Sequence, residues 1–433
     1  MADSGQAHMS SERIDFASDM VNSNFALRQE PFGYTFFDKQ KLRHVFLHEP
    51  DLDGFLRDRQ ISAKQVEFLK FKRKDYRRDI LYSPLRVYYE LTLGCNLHCR
   101  YCYNSSGKCR PNELSTAEVL KSLDDFKACN VFDIRFTGGE LTCRKDWFEI
   151  LNYAKGRGFA VSCNTNAAYC DPKVNEQFAK LNLEQVTVSL DGDKAGHEMN
   201  RGKGTFDRTI ENIKDMHSMG VKLRINTLVS AYSAGDVEKV LEIAAKYAEE
   251  INFFTIIFIG RGFHLESANG ISLKDHYEMS KKIRALRSKY PNLRILHFSE
   301  VTKKTEVNTE LGEEFGLKVG LPSGSTRFNV LSDGSYCCGG YTRYIDDGLI
   351  MGNVRSDDLF DVWQKNHLLE RMRGEGGDLI RFCEKCPKFI DGTCQGPKYE
   401  TELIRLLHPE VKNPTCIYGD GPSLLTRLGN DSR

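Results

Sequence analysis

Three cysteines fall within eight positions in CNLHCRYC, at Cys95, Cys99 and Cys102. A disulfide would leave one sulfur over, whereas metal ligation uses them all, with the thiolate as the binding form. Zinc is one candidate, because a tetrahedral site takes four N or S ligands and His98 lies inside the run. His98 adjoins Cys99, however, and points elsewhere than its neighbour, so the loop supplies three ligands and leaves a fourth place open. Iron-sulfur clusters usually take four cysteine thiolates, so a cubane held by three keeps one iron available for a substrate or cofactor. A second group, Cys383, Cys386, Cys394 and Cys416, has the four thiolates of a closed iron-sulfur or structural zinc site. Cys337 and Cys338 lie between the two groups. The first ten residues, MADSGQAHMS, lack the charged and apolar regions of a signal peptide. The expected location is therefore a reducing cytoplasm, where cysteines serve as metal ligands and core thiols in place of disulfides.

The pattern Cys95-xxx-Cys99-x-Tyr101-Cys102 resembles the signature of the radical S-adenosylmethionine (SAM) superfamily, Tyr101 included. The resemblance implies a [4Fe-4S] cluster whose open iron chelates the amino and carboxylate groups of S-adenosyl-L-methionine. Reduction then cleaves the sulfonium, and a 5′-deoxyadenosyl radical removes hydrogen from the substrate. Other segments follow the family's order: Gly138-Gly139-Glu140 resembles the motif that receives the methionine amino group, and Asn164 ends the next strand. Ser189 and Asp191 end the strand after that, where relatives contact the nucleoside, and Arg201 is a candidate for the SAM carboxylate. Leu141 and Ala167 depart from the family's usual Pro and Gly, which alters turns and not ligands. No catalytic residue is assigned; Cys143 and Cys163 are the thiols placed to give hydrogen to a substrate radical.

The C-terminal cysteines, with MGNV (351–354) and DLFDVW (358–363), resemble the SPASM/Twitch extension of radical enzymes that modify peptides. The full SPASM pattern has a CxxxC after Cys394, where this chain has Lys398, so one auxiliary [4Fe-4S] cluster is expected on Cys383, Cys386, Cys394 and Cys416. This resemblance implies a precursor peptide as substrate and cross-linking, epimerisation or backbone excision as the reaction. It further implies a flavodoxin or ferredoxin-type reductant and a separate leader-peptide-binding protein. The rivals are a radical enzyme acting on a small molecule such as an aminoglycoside or sugar, and a non-catalytic iron-sulfur carrier.

These residues must be positioned by something, and the surrounding pattern says what. Six β-branched or aromatic runs, at 87–93, 131–138, 159–166, 185–192, 222–229 and 253–260, alternate with stretches of helical period. One such stretch, 115–129, begins with the capping-box pair Ser115 and Glu118. The alternation predicts an α/β chain forming a partial (β/α)6 TIM-type barrel, with ligands at the C-terminal strand ends. An N-terminal extension (1–84) holds a β-hairpin from 32–37 and 42–47, a possible peptide-binding element by strand addition. Its charged run KFKRKDYRRD (70–79) reads as a solvated linker. The barrel spans 85–320, and the SPASM/Twitch-like domain 321–433, opening with a hairpin that turns at Asp333-Gly334 and followed by an amphipathic helix over 358–373. A formal charge of +1 gives no global field for nucleic acid or an anionic membrane, and no apolar run is long enough to span a bilayer.

Overall fold

The computed structural model describes residues 23–256, 260–265, 273–297, 312, 314–318, 322–337, 339 and 347–374. Cys338, Cys383, Cys386, Cys394 and Cys416 lie outside the described residues.

A small N-terminal unit comes first. Strands β1 (Phe25–Glu30), β2 (Gly33–Asp38), β3 (Arg43–His48) and β4 (Val66–Leu69) form a sheet in the order β3-β2-β1-β4, with helix α1 (Leu52–Asp58) between β3 and β4. The expected hairpin is present as β2 and β3, but it belongs to this larger sheet. Leu27, Phe36, Leu47, Leu52, Phe55, Leu56 and Val66 make its own small core.

The sheet of the barrel contains all six expected strands as β5 (Arg86–Glu90), β6 (Asp133–Thr137), β7 (Ala160–Thr165), β8 (Gln185–Ser189), β9 (Leu223–Val229) and β10 (Glu250–Thr255). Each pairs in parallel with the next. The helices α2 (Thr116–Ala128), α3 (Trp147–Gly156), α4 (Lys173–Leu181), α5 (Lys194–Arg201), α6 (Thr205–Ser218) and α7 (Val237–Tyr247) fill the crossovers. Ser115 caps α2 in a capping box with Glu118, as its spacing predicts. Helix α8 (Leu273–Leu286) then leads to a further parallel strand, β11 (Arg294–His297), beyond the six expected.

Alternation along these strands sorts the two faces. Val87, Tyr89, Ile134, Phe136, Val161, Cys163, Val186, Val188 and Ile225 are buried in one core with the helices. The residues between them, such as Tyr88, Arg135, Asn164, Thr187 and Asn226, therefore face the inside of the curl. A closed TIM barrel fills that space with branched apolar side chains. Here it is polar. Cys163, considered as a hydrogen donor to a cavity, lies on the helix-facing side instead, because its neighbour Asn164 takes the inner position.

The sheet does not end at β5. Strand β12 (Arg327–Val330) pairs in parallel with β5, then β13 (Ser335–Cys337) and β14 (Gly352–Asn353) follow, giving ten strands in the order β11-β10-β9-β8-β7-β6-β5-β12-β13-β14. The expected hairpin turns at Leu331–Gly334, where Gly334 has φ +86°. The expected helix over 358–373 is broken into Leu359–Lys365 and His367–Gly374. Asn366 is extended, and its Oδ1 accepts from Leu368 N and Leu369 N, capping the second piece.

The charged run at 70–79 is not a solvated linker. Arg73 reaches Asp358 at 3.2 Å and Asp361 at 2.9 Å, Arg77 N donates to Gln364, and Arg77 pairs with Glu370. Its charges clamp the C-terminal helices to the chain that enters the barrel. The N-terminal sheet, in turn, lies under the starts of β5, β6 and β7. Phe37 stacks on Phe132, Arg28 donates to the Pro84 and Asn130 carbonyls, and Lys39 donates to Gly158 O.

Candidate active site

Strand β5 ends at Glu90, and the cysteine loop follows at the C-terminal edge of the sheet. Cys95, Cys99 and Cys102 are free, half-buried thiols. Among the described residues no three His, Cys, Asp or Glu side chains converge as ligands of one metal ion would. A larger inorganic core, each corner iron taking one thiolate, suits ligands that are spread along a loop. Burial pushes the Cys95 thiol up to about 12 and raises that of Cys99. Both are therefore neutral unless a metal replaces the proton.

The loop is pinned from several sides. Arg261 holds it through backbone carbonyls: Nε donates to Cys99 O at 2.9 Å, Nη1 to Ser106 O at 2.7 Å, and its amide to Cys102 O. Gly260, at φ +59°, lies so close that a Cβ there would stand 2.7 Å from Cys102 O. Glu113 accepts from Leu93 N and Thr92 Oγ1 at the loop's entry. Glu90, buried, accepts from Asn104 in the loop, from Arg110, and from Ser332 in the β12–β13 turn.

The Gly138-Gly139-Glu140 turn packs against the same loop. Gly139 N donates to Thr92 O and Glu140 N to Gly94 O, and a Cβ on Gly139 would stand 2.7 Å from Leu93 O. The glycines thus permit backbone-to-backbone contact with the start of the cysteine loop. Glu140 is fully buried and accepts from Thr142 N, Thr142 Oγ1, Thr165 Oγ1 and Asn166 N. It ties the end of β6 to the end of β7. Asn166 continues the chain of contacts, donating to Asn96 Oδ1 at 2.8 Å and toward Cys95 Sγ at 3.9 Å.

At the end of β8, Asp191 is fully buried and accepts from Tyr101 Oη, Arg201 Nε at 2.6 Å and Leu228 N at 2.9 Å. Arg201 also lies over the Tyr101 ring, 5.5 Å from its centroid. Tyr101, Asp191 and Arg201 are thereby one cluster, tying the cysteine loop to β8 and α5. Asn164 Oδ1 is buried without a hydrogen-bond partner, and Ser189, half-buried, holds the inward position at the end of the next strand. Both face inward just below the strand ends, where a bound nucleoside or amino acid would supply the missing bond.

The structure therefore brings together Cys95, Cys99, Cys102, Tyr101, Gly138, Gly139, Glu140, Asn164, Ser189, Asp191 and Arg201 at one end of one sheet. Glu90, Glu113 and Arg261 complete the site without a sequence motif to mark them. A carboxylate closing the strand before the triplet was the available signal for Glu90; Arg261 acts through carbonyls, which leave no motif.

Comparison with known proteins agrees with this geometry. Residues 89–243 match the radical SAM superfamily, and residues 322–387 match SPASM, an iron-sulfur cluster-binding domain. The mycofactocin maturase MftC of Mycolicibacterium smegmatis is 28% identical over 360 residues, covering 80% of this chain and 86% of its own. An AdoMet-dependent heme synthase of Methanosarcina barkeri is 27% identical over 354 residues, covering 78% and 98%. Among solved structures, Streptococcus suis SuiB bound to S-adenosylmethionine superposes with a TM-score of 0.67 at 17% identity, covering 89% of this chain and 96% of that one. SuiB has also been solved with its precursor peptide SuiA, at a TM-score of 0.65.

Proposed function

We propose that this chain, a radical SAM enzyme carrying a SPASM domain, abstracts hydrogen from a ribosomally made precursor peptide. The observation that carries the reading is the three-thiol loop, locked by the Gly138-Gly139-Glu140 turn and Arg261 onto a polar-lined half barrel, in a chain whose relatives include a peptide maturase. When bound, the cluster and S-adenosylmethionine supply the electron and the 5′-deoxyadenosyl radical that takes hydrogen from substrate.

The chain's own residues do the rest. Arg261, Glu90 and Glu113 fix the loop, so that the three thiolates meet a cluster with little reorganisation. In this reading Ser189 and Asn164 take the unmet hydrogen bonds of S-adenosylmethionine. Tyr101, Asp191 and Arg201 hold the wall behind it, with Arg201 offering its remaining N–H groups to the carboxylate. Glu140 supports the turn whose backbone faces the methionine amino group. Auxiliary [4Fe-4S] ligation by Cys383, Cys386, Cys394 and Cys416 belongs to the same proposal, as do a flavodoxin or ferredoxin-type reductant and a separate leader-binding protein. So does use of the N-terminal sheet as a docking edge: β3 pairs only with β2 among the described residues. Among the described residues no helix is long and apolar enough to cross a membrane.

The test is anaerobic reconstitution with reductant and S-adenosylmethionine, followed by incubation with a short peptide encoded beside this gene. Formation of 5′-deoxyadenosine together with a mass change or deuterium uptake in the peptide is expected. Turnover of a tetrapyrrole or sugar with no peptide change would overturn the reading. That second outcome is worth including because a heme synthase is among the relatives.

A further inference from the structure

The inner face of the half barrel carries more positive charge than its fold requires. On its lower level Arg86 is paired with Asp133 at 2.6 Å, and Arg224 and Arg294 share Glu250 at 3.0 and 2.8 Å. Arg327 stands beside Arg86 in register on the adjacent strand, so two like charges are neighbours. Arg135 is 6% exposed, and it donates to neutral side chains: Ser162 Oγ at 3.0 Å and Gln185 Oε1 at 2.8 Å. Five guanidinium groups thus meet two carboxylates on the lower part of this face among the described residues, and Glu90, above them on β5, is taken by Arg110.

Unmet hydrogen bonds point into the same space. Arg224 Nε is buried without a partner, as are Thr187 Oγ1, Asn226 Oδ1 and Asn252 Oδ1, all on inward positions of β8, β9 and β10. Tyr88 lies between Arg86 and Arg135, each 6.0 Å from its ring centroid. Burial opposes its ionisation, yet Arg327, Arg86 and Arg135 outweigh burial and bring the phenol down to about 7. Arg294 and Arg327 reach solvent, but Arg86, Arg135 and Arg224 are enclosed with two carboxylates between them, and an unmatched buried cation costs stability unless an anion completes it. Of the unmet groups, Arg224 Nε–H and the Thr187 hydroxyl are donors, neighbours in register on β9 and β8, and with the Arg135 guanidinium on the same inner face they are what an anionic ligand group would satisfy; the two amide oxygens would take donors of the same ligand.

We propose that the floor of this cavity, centred on Arg135 and Arg224, receives a carboxylate of the substrate. The inference rests on the peptide reading for the kind of molecule that carries the group, and on the floor alone for the group's charge. Arg135 precedes the end of β6 by two residues, which places it about 7 Å below the strand ends. In a peptide that depth corresponds to an Asp or Glu, or the terminal carboxylate, within about two residues of the modified position.

The experiment is calorimetric titration of the reconstituted, S-adenosylmethionine-loaded full chain with glutarate, and with glutaramide as its neutral twin. Glutarate is expected to bind roughly tenfold more tightly than the diamide, the scale of one charge-assisted hydrogen bond. Arg135→Gln and Arg224→Gln should each remove about that factor, and Arg135→Lys should keep most of it. Lys121→Gln, an exposed helix position, should change nothing. Equal binding of acid and diamide, or no measurable glutarate binding, overturns the inference, and this comparison on the unaltered chain decides even if the Gln variants fail to fold. The sources separate in a second arm. A precursor peptide modified equally well after its nearby carboxylates are replaced by amides sinks the floor site and leaves the peptide reading standing. Selective glutarate binding with no modifiable peptide does the reverse.

Discussion

Glu140 marks how far a motif leads and where side-chain geometry takes over. Its place after two glycines was legible, but its bonds to Thr142, Thr165 and Asn166 were not, because they join residues distant in sequence. The glycines before it give a sharp expectation. Gly139→Ala would force a Cβ into the Leu93 and Gly94 carbonyls, so the loop must move and the site should lose its cluster. Iron analysis after anaerobic reconstitution should then fall by about four per chain. Arg261→Lys tests the carbonyl clamp, since one ammonium cannot span Cys99 O and Ser106 O as the guanidinium does. A loss of about 1.5–3 kcal/mol in stability is expected, read from denaturant midpoints, with slower 5′-deoxyadenosine formation. Ala167 offers a counter-case. It holds φ +51°, a strain of about 1–2 kcal/mol for a non-glycine. Glycine would relieve that, but it would lose a buried methyl of about 0.8 kcal/mol and gain about 0.5–1 kcal/mol of unfolded-chain freedom. Ala167→Gly should therefore leave the melting temperature nearly unchanged, although the family's usual residue is restored.

Among the elements, the six barrel strands were readable because apolar and polar residues alternate along each, and that same alternation carried the polar interior. Strands β1 and β4 escaped notice for a physical reason. Their inward charges read as surface, yet Arg28 is buried against Glu30 and Ser83, and Glu67 against Lys39 and Lys127. The 70–79 run misled in the same way: its arginines are matched by carboxylates almost three hundred positions on. The helix over 358–373 was expected whole because its apolar period continues through Asn366, whose side chain nonetheless caps a new helix. A parallel contact joins α2 to the C-terminal strands: Arg355 Nε donates to Glu118 at 2.6 Å. Arg355 first, then Ser115, hold the Glu118 carboxyl down to about 2. A depressed carboxyl stabilises the fold fully above its unfolded value near pH ~4.3, and that contribution disappears as the pH falls through about 2. Glu118→Gln should lower the denaturant midpoint at pH 6 and make progressively less difference at lower pH, followed by tryptophan fluorescence. An equal difference at all pH values would remove the ion pair from the account.

For the whole molecule, the segment that matches the radical SAM superfamily and the described part of the one that matches SPASM share one sheet, since β12 pairs directly with β5, the strand that ends at the cysteine loop. Trp363 adds to the join, fully buried with Nε1 donating to Leu81 O at 2.8 Å. A chain with both clusters should hold about eight irons, and replacing Cys95, Cys99 and Cys102 together by Ala should leave about four. A retained value near eight would place the first cluster elsewhere. The shared sheet has a mechanical corollary. Strands β12 to β14 cannot swing away from β5 without tearing a ladder of backbone hydrogen bonds, so hinge-like rocking between these described strands is not how the site opens. Entry of a substrate must instead rely on loops at the rim, or on the suppleness of the guest itself.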